Sequence, residues 1–218
     1  MRDDLILKYA EQNNIDISRR QVEQLSEYQD MVLDVNRSMN LTAITDNVDF
    51  AVKHIIDSMT VLPYLPQKAA LIDIGTGAGF PGMIIKIMRP DVRVSLLDGT
   101  RKRVHFLEET AMKLGLDVDC IHARAEEYCR KDIVGSFDVA VARAVAKLDV
   151  LGKYCLPYVK SGGLLIAMKG SDIGDEVEKS KPALMKKGGS VKEIVSLIIG
   201  AGIDGYEPQK RNLVLIQK

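Results

Sequence analysis

The chain has no tryptophan, and aromatic residues make up only 5% of its 218 residues. That poverty argues against a broad base-stacking platform of the kind that single-strand binders use. Long apolar runs are missing too. None approaches the ~20 residues that a membrane-spanning helix needs, and no membrane association is expected. Charge of one sign is not in excess: 30 Lys and Arg balance 30 Asp and Glu. A surface basic all over is thereby disfavoured, whereas a local basic patch is not. Cysteine is scarce. Cys120, Cys129 and Cys155 are too far apart for a metal-ligand cluster and odd in number for a disulfide framework, so free, partly buried thiols are expected. His54, His105 and His122 do not fall at metal-ligand spacing, and no metal is expected. The opening Met1-Arg2-Asp3-Asp4 has acids where a secretory signal has bases, which predicts a cytoplasmic protein.

What the chain does have is Asp73-Ile74-Gly75-Thr76-Gly77-Ala78-Gly79-Phe80, set between two apolar runs. Three alternate glycines between a strand and a helix make a loop whose backbone can approach a ligand closely. Phe80 stands where a dinucleotide-binding loop has its third glycine. That substitution predicts a wider loop without a bound pyrophosphate.

The residues before and after the loop follow different periods. Residues 1–63 recur at helical spacing, with Leu5, Ile6, Tyr9 and Ala10 on one face. Ser18 is placed to cap a second helix bearing Val22, Leu25, Tyr28, Val32 and Val35. A third helix is predicted over residues 50–62. From 64 to 218 strand and helix alternate. Strands are predicted at Ala70–Ile74, Arg93–Asp98, Val118–His122, 137–142 and 164–169. Helices are predicted at Gly82–Met88, Arg101–Leu114, 126–130 and 147–159. Alternation of this kind implies a parallel sheet covered on both faces. A polar helix at 175–187 precedes two close strands, 192–198 and 212–217, which read as an antiparallel hairpin. That ending is usual in the class I methyltransferase sheet and not in a dehydrogenase half. The predicted architecture is therefore α/β and Rossmann-like, a seven-stranded mostly parallel sheet with an antiparallel last strand. A helical cap (1–63) precedes the methyltransferase domain (64–218).

Candidate site residues follow from the strand ends. Asp98 closes the second strand about 20 residues past the loop, where a carboxylate meets a ribose. The lesser alternative is an acid that caps the next helix. Ala125 and Glu126 lie past the third strand, where their backbone can meet an adenine edge or simply begin a helix. S-adenosylmethionine suits these parts better than NAD. It has an adenosine, no phosphate, and a carboxylate for the amides of Gly75, Gly77 and Gly79. Asp73 is placed to balance its amino group or sulfonium. Lys102, Arg124, Arg143 and Lys169 are the bases near the strand ends that can hold a phosphate or a guanine O6. Arg101-Lys102-Arg103 opposes the dipole of its own helix, which favours a role beyond a solvated face. Lys186-Lys187 and Lys210-Arg211 read as solvated charges. His54 reads as structural, and Tyr9, Tyr28 and Phe50 as packing.

Several segments together resemble the bacterial 16S ribosomal RNA small-subunit methyltransferase G (GidB) family. They are 36–44 (Asn-Arg-Ser-Met-Asn-Leu-Thr-Ala-Ile), His54-Ile55-Ile56-Asp57-Ser58, and the glycine loop with its Phe80-Pro81-Gly82 tail. Asp98, Lys102-Arg103, Arg124-Ala125-Glu126, Arg143-Ala144, Lys169-Gly170 and Arg211-Asn212-Leu213-Val214 follow in the family's order. The resemblance implies methyl transfer from S-adenosylmethionine to guanine N7 in 16S rRNA near the decoding region. It implies cofactor contacts from Gly75, Phe80, Ala125, Glu126 and Arg143, and an rRNA or assembling small subunit as partner. The oligomeric state stays open, with a monomer expected. The tip of the fourth strand agrees in kind. Val141-Ala142-Arg143-Ala144-Val145 holds neither the Asp/Asn-Pro-Pro-aromatic motif of exocyclic-amine enzymes nor a nucleophilic cysteine. Lys102, Arg124 and Lys169 are then positioning and electrostatic residues, with no general base required.

The competing readings are a methyltransferase for another RNA or a small molecule, an NAD-dependent oxidoreductase, and a ribosome-binding protein without turnover. The last predicts that Arg143→Ala leaves the cellular role intact. A binding titration with S-adenosylmethionine and NADH separates the cofactor classes: the first is expected to saturate and the second to show no binding.

Overall fold

The computed structural model describes residues 2–127, 133–143 and 145–218. Two helices open the chain, α1 (Arg2–Gln12) and α2 (Arg19–Met39). Ser18 caps α2 with a full capping box: its hydroxyl accepts from the Gln21 amide and the Gln21 side chain accepts from the Ser18 amide. Gln21 also donates to the carbonyls of Ile87 (2.9 Å) and Met88 (3.1 Å), and Gln24 donates to that of Leu114 (3.0 Å). These are carbonyls at helix C-termini that no intrahelical amide reaches, so α2 is fastened across the ends of two later helices.

The third helical stretch departs from expectation. It begins at α3 (Asn47–Phe50), because Asp46 caps the amides of Val48 and Asp49. It continues as a π-helical segment, Ala51–Ile56, into α4 (Asp57–Met59). Periodicity at 3.6 residues does not register a π segment, which widens the turn to an i→i+5 pattern.

Strands β1 (Ala70–Ile74), β2 (Arg93–Asp98) and β3 (Val118–His122) fall where the sequence places them. β4 (Phe137–Arg143) reaches one residue further, to the arginine. β5 (Val159–Lys169) begins five residues early, across Gly162 and Gly163, which mask it as a turn. The sheet order is β3-β2-β1-β4-β5-β7-β6, with β6 (Ser190–Ile199) and β7 (Gln209–Gln217) as the hairpin. β5 and β7 pair antiparallel, and so do β7 and β6, so β7 alone runs against the rest. Helices α5 (Gly82–Met88) and α6 (Arg101–Leu114) lie on one face with the cap. α7 (Leu148–Cys155) and α8 (Gly174–Met185) cover the other. Of the predicted helix at 126–130, Glu126 and Glu127 lie in a turn and the remainder falls outside the described residues.

Alternation along the strands separates two cores. Leu71, Leu96, Val139, Val141 and Leu215 pack with Ile6, Leu25, Tyr28, Val32 and Phe50 of the N-terminal helices. Ile72, Ala140, Leu165 and Ile216 face α7 and α8. A third, smaller cluster of Val52, Ile56 and Ile199 fixes the π segment to the hairpin. The link after β6 reinforces it, since Lys8 donates to the Gly202 carbonyl (2.8 Å) and Tyr206 to Asp49 (3.0 Å). Because β2 and β4 flank β1 on opposite sides, the chain reverses its strand order there. Ligands of open α/β sheets bind at that crevice, beyond the strand C-termini.

The loop behind the crevice is not loosened by Phe80, as its side chain suggested. Gly82 supplies the close helix–strand approach that residue 80 does not. A Cβ there would overlap Leu96 and lie 2.9 Å from the Asp73 carboxylate. Gly82→Ala is expected to destabilise the protein by about 1–3 kcal/mol in urea unfolding despite alanine's better helix propensity. An unchanged midpoint would show that the contact relaxes freely.

Candidate functional site

The glycine loop is held from below by its neighbours. Gly75 and Thr76 donate to the Leu97 carbonyl (2.8 and 3.1 Å), and Gly79 and Phe80 to that of Thr76 (2.9 and 3.0 Å). Gly77 donates to the Asp98 carboxylate (2.9 Å). Gly75, Gly77 and Gly79 all have positive φ, at 71°, 62° and 102°. At Gly77 nothing lies within 4 Å of an added Cβ, so this edge of the loop faces the open crevice. Asp73 sits beneath, fully buried. Its Oδ2 accepts from Thr76 Oγ1 (2.6 Å) and the Gly82 amide (2.8 Å). Its Oδ1 has no hydrogen-bond partner among the described residues. Burial raises its carboxyl to about 6.

At the next strand tip, Asp98 is buried and doubly employed. Oδ2 takes the Gly77 amide and Oδ1 the Thr100 amide (2.8 Å). The carboxylate braces the start of α6 through the Thr100 amide and the loop through the Gly77 amide. Arg103 approaches it at 3.8 Å. Arg101, Lys102 and Arg124 are exposed beside it, and the Arg124 stem lies over Gly99. Ala125 is buried, its carbonyl accepting from Tyr158 (2.6 Å), while Glu126 is exposed.

Phe80 does not reach the crevice with its side chain. The ring is enclosed by the cap, stacked on His54 (4.3 Å, 6°) and edge-on to Tyr28 and Phe50. The Arg143 guanidinium lies over it at 5.1 Å. Arg143 also donates to the Lys53 carbonyl (2.8 Å), to Asp57 (3.3 Å) and to His54 Nδ1 (2.9 Å). An arginine only donates, so Nδ1 is the acceptor and the imidazole proton is on Nε2. That proton is given to Thr42 Oγ1 (2.8 Å). Burial, aided by the Arg143 charge, lowers the imidazole to about 3, so His54 is neutral.

Beside this group lies a cavity of about 480 Å³. Its polar walls are Lys53, His54, Asp57, Arg143, Lys169 and Arg211. Asp57 is buried between Arg143 and Arg211 (3.4 Å). Burial pushes its carboxyl above the usual range, and the two guanidinia oppose that. Lys169 is tied by its ammonium to the Ala146 carbonyl and to Glu176, both at 2.7 Å. Arg211 corrects its sequence reading as a solvated charge, whereas Lys186, Lys187 and Lys210 are exposed as expected. Asp57, Tyr28 and Gly82 make contacts at the loop and the cavity that residue type alone did not signal. The only hints were the motif segments containing Asp57 and Gly82.

Cys120 and Cys155 are free thiols, and Cys129 and Ala144 lie outside the described residues. Among the described residues no group of His, Cys, Asp and Glu is placed to hold a metal ion. No helix there is long and apolar enough to cross a membrane.

A seven-stranded sheet with a reversed β7 and a glycine loop at the β1 switch point has the fold of the class I S-adenosylmethionine methyltransferases. Two solved structures share it. One is M. jannaschii TYW2 in complex with AdoMet, at TM-score 0.56 and 16% identity over 74% of each chain. The other is an Aquifex aeolicus SAM-dependent methyltransferase, at TM-score 0.52 and 18% identity over 73% of this chain and 89% of that one. Sequence narrows the class. The profile of the rRNA small subunit methyltransferase G (GidB) family matches residues 21–202, and the chain belongs to that family. The relative named ribosomal RNA small subunit methyltransferase G from Acetivibrio thermocellus is 42% identical over 217 residues, 98% of this chain and 87% of that protein. Its counterpart from Alkaliphilus metalliredigens is 46% identical over 181 residues, 81% and 76% of the two chains.

The His54 environment has a pH consequence. A histidine lowered from 6.5 to about 3 contributes stability that is present above pH 6.5 and lost as pH falls toward 3. At pH 5 the loss is about 2 kcal/mol. Asp73 acts in the opposite sense, gaining a proton in the folded state as pH falls through about 6. Its effect cancels when two proteins that share it are compared. Between pH 7 and pH 5 the wild type is expected to lose about 2 kcal/mol more in urea unfolding than His54→Gln. Equal losses would mean that His54 titrates normally.

Proposed function

We propose that this chain transfers the methyl group of S-adenosylmethionine to N7 of a guanosine in 16S rRNA, in the decoding region of the small subunit. Residues 1–63 form the cap and 64–218 the catalytic domain of a monomer that acts in the cytoplasm on rRNA or an assembling subunit. The observation that carries the reading is that, among the described residues, the cavity beside the loop has no available proton acceptor. Both ring nitrogens of His54 are committed, and the ring is neutral. Asp57 is occupied by two guanidinia, and Lys169 is a donor tied to Glu176. A site built in this way cannot readily strip a proton from an exocyclic amine. Guanine N7 needs no such step, because its lone pair is already exposed.

The residues present fit the cofactor. The open edge at Gly77 accepts a close approach, and the unpartnered Asp73 Oδ1 is an acceptor suited to an ammonium group. When bound, S-adenosylmethionine supplies an electrophilic methyl carbon. In this reading the loop around Gly75, Gly77, Gly79 and the Phe80 backbone holds the methionine part. Asp98 turns its remaining lone pairs to the ribose, and the Ala125 and Glu126 backbone meets the adenine edge. Arg143 fixes the boundary between cofactor and acceptor, since it is anchored at once on the Phe80 ring and on Asp57. Arg211 and Lys169 border the acceptor base and leave N7 to the methyl carbon, while Lys102 and Arg124 hold phosphates. Their work is orientation, which can lower a barrier by ~7–11 kcal/mol in favourable cases.

The test is methyl transfer by the purified protein to 16S rRNA and 30S particles, with small-molecule acceptors alongside and the product nucleoside identified. N7-methylguanosine from RNA is expected. Transfer only to small acceptors, or methylation of an exocyclic amine, would contradict the reading. Arg211→Ala is expected to raise the KM for RNA about tenfold and to leave S-adenosylhomocysteine binding unchanged. An unchanged KM would remove Arg211 from acceptor binding.

A further inference from the structure

We infer that Tyr28, on cap helix α2, is a positioning residue that sets the shape of the cofactor loop from behind. The inference rests on the cofactor reading above and extends the site into the N-terminal helices. A loop with three glycines in five residues is inherently mobile, and its shape must be imposed by bonds from outside it. β2 supplies those for Gly75, Thr76 and Gly77. The Ala78 carbonyl, midway along the loop, receives its hydrogen bond from the Tyr28 hydroxyl, 50 residues upstream.

Three further observations place Tyr28 behind the loop. Its side chain is fully buried. Its ring meets the Phe80 ring at 5.5 Å, edge-on. Gly79 is so close to the hydroxyl that a Cβ there would overlap it. On the opposite edge, Gly77 opens to the crevice. Tyr28 thus touches the loop's back and the ligand meets its front. Ala78 is itself buried, so removing the hydroxyl leaves its carbonyl without water as a replacement partner. The peptide units on either side of Ala78 are then free to turn, and their amides lose their fixed aim. Pre-organisation of this kind is read as affinity.

The test compares three proteins by calorimetric titration with S-adenosylhomocysteine, with thermal unfolding measured in parallel. Tyr28→Phe keeps the ring and is expected to weaken binding about fivefold to twentyfold. Val32→Ala, buried on the same helix, is expected to lower the melting temperature and leave affinity within about twofold. Equal affinity of Tyr28→Phe and wild type would overturn the inference. So would weakening in both variants that simply tracks lost stability. Wild-type protein that binds no S-adenosylhomocysteine would overturn the cofactor reading itself. A measurement without any variant guards against failure to fold. The Gly79 amide, which donates to the Thr76 carbonyl beside the Tyr28 hydroxyl, should exchange slowly, and exchange at an unprotected rate would overturn the inference.

Discussion

Phe80 leaves the glycine loop and buries its ring among the N-terminal helices, and both halves of the site depend on that contact. The ring stacks on His54, meets Tyr28 and Phe50 edge-on, and lies under the Arg143 guanidinium. Each of these neighbours has a second task. Tyr28 holds the loop carbonyl of Ala78, and His54 orients Arg143. Arg143 joins β4 to Asp57, which in turn holds Arg211 of β7. One aromatic side chain therefore ties the glycine loop, the cap and the wall of the cavity into a single packed unit. A loop of glycines has little shape of its own, and this unit supplies it.

The Arg143–Asp57–Arg211 group shows what the arrangement costs and what it secures. Taking three charges out of water is unfavourable unless their geometry compensates, so such groups are weak evidence for stability. Here the group joins the cap to the β4 and β7 ends at the cavity mouth. Removing Asp57 would leave two guanidinia without their shared partner. The same pairing silences the one carboxylate among the described residues of the cavity, just as burial and Arg143 silence His54. In the proposed reading, a cavity lined by donors suits the O6 of guanine and leaves the N7 lone pair to the methyl carbon.

The sequence was legible where a function is local. The glycine loop, Asp98 at a strand end and the alternation of strand with helix are all set by neighbours within a few residues. The sheet followed from these, down to the late hairpin. Elements failed to register where local pattern misleads: glycines interrupt β5, and a π segment interrupts the third helix. The cavity was less legible because its residues meet distant partners. Asp57 resembles any helix-start acid until Arg143 and Arg211 are brought to it. Arg211 resembles any exposed arginine at the polar start of a strand. Gly82 is read as the end of a motif until Leu96 is seen against it. The family motifs pointed to several of these positions without giving their reasons.

The central claim is that this cavity presents a guanine N7 to a methyl donor. Mapping N7-methylguanosine along 16S rRNA from cells with and without the gene tests it most directly. The account predicts one position in the decoding region that is modified in the first sample and unmodified in the second. The same modification at the same level in both, with no second enzyme to supply it, would contradict the claim.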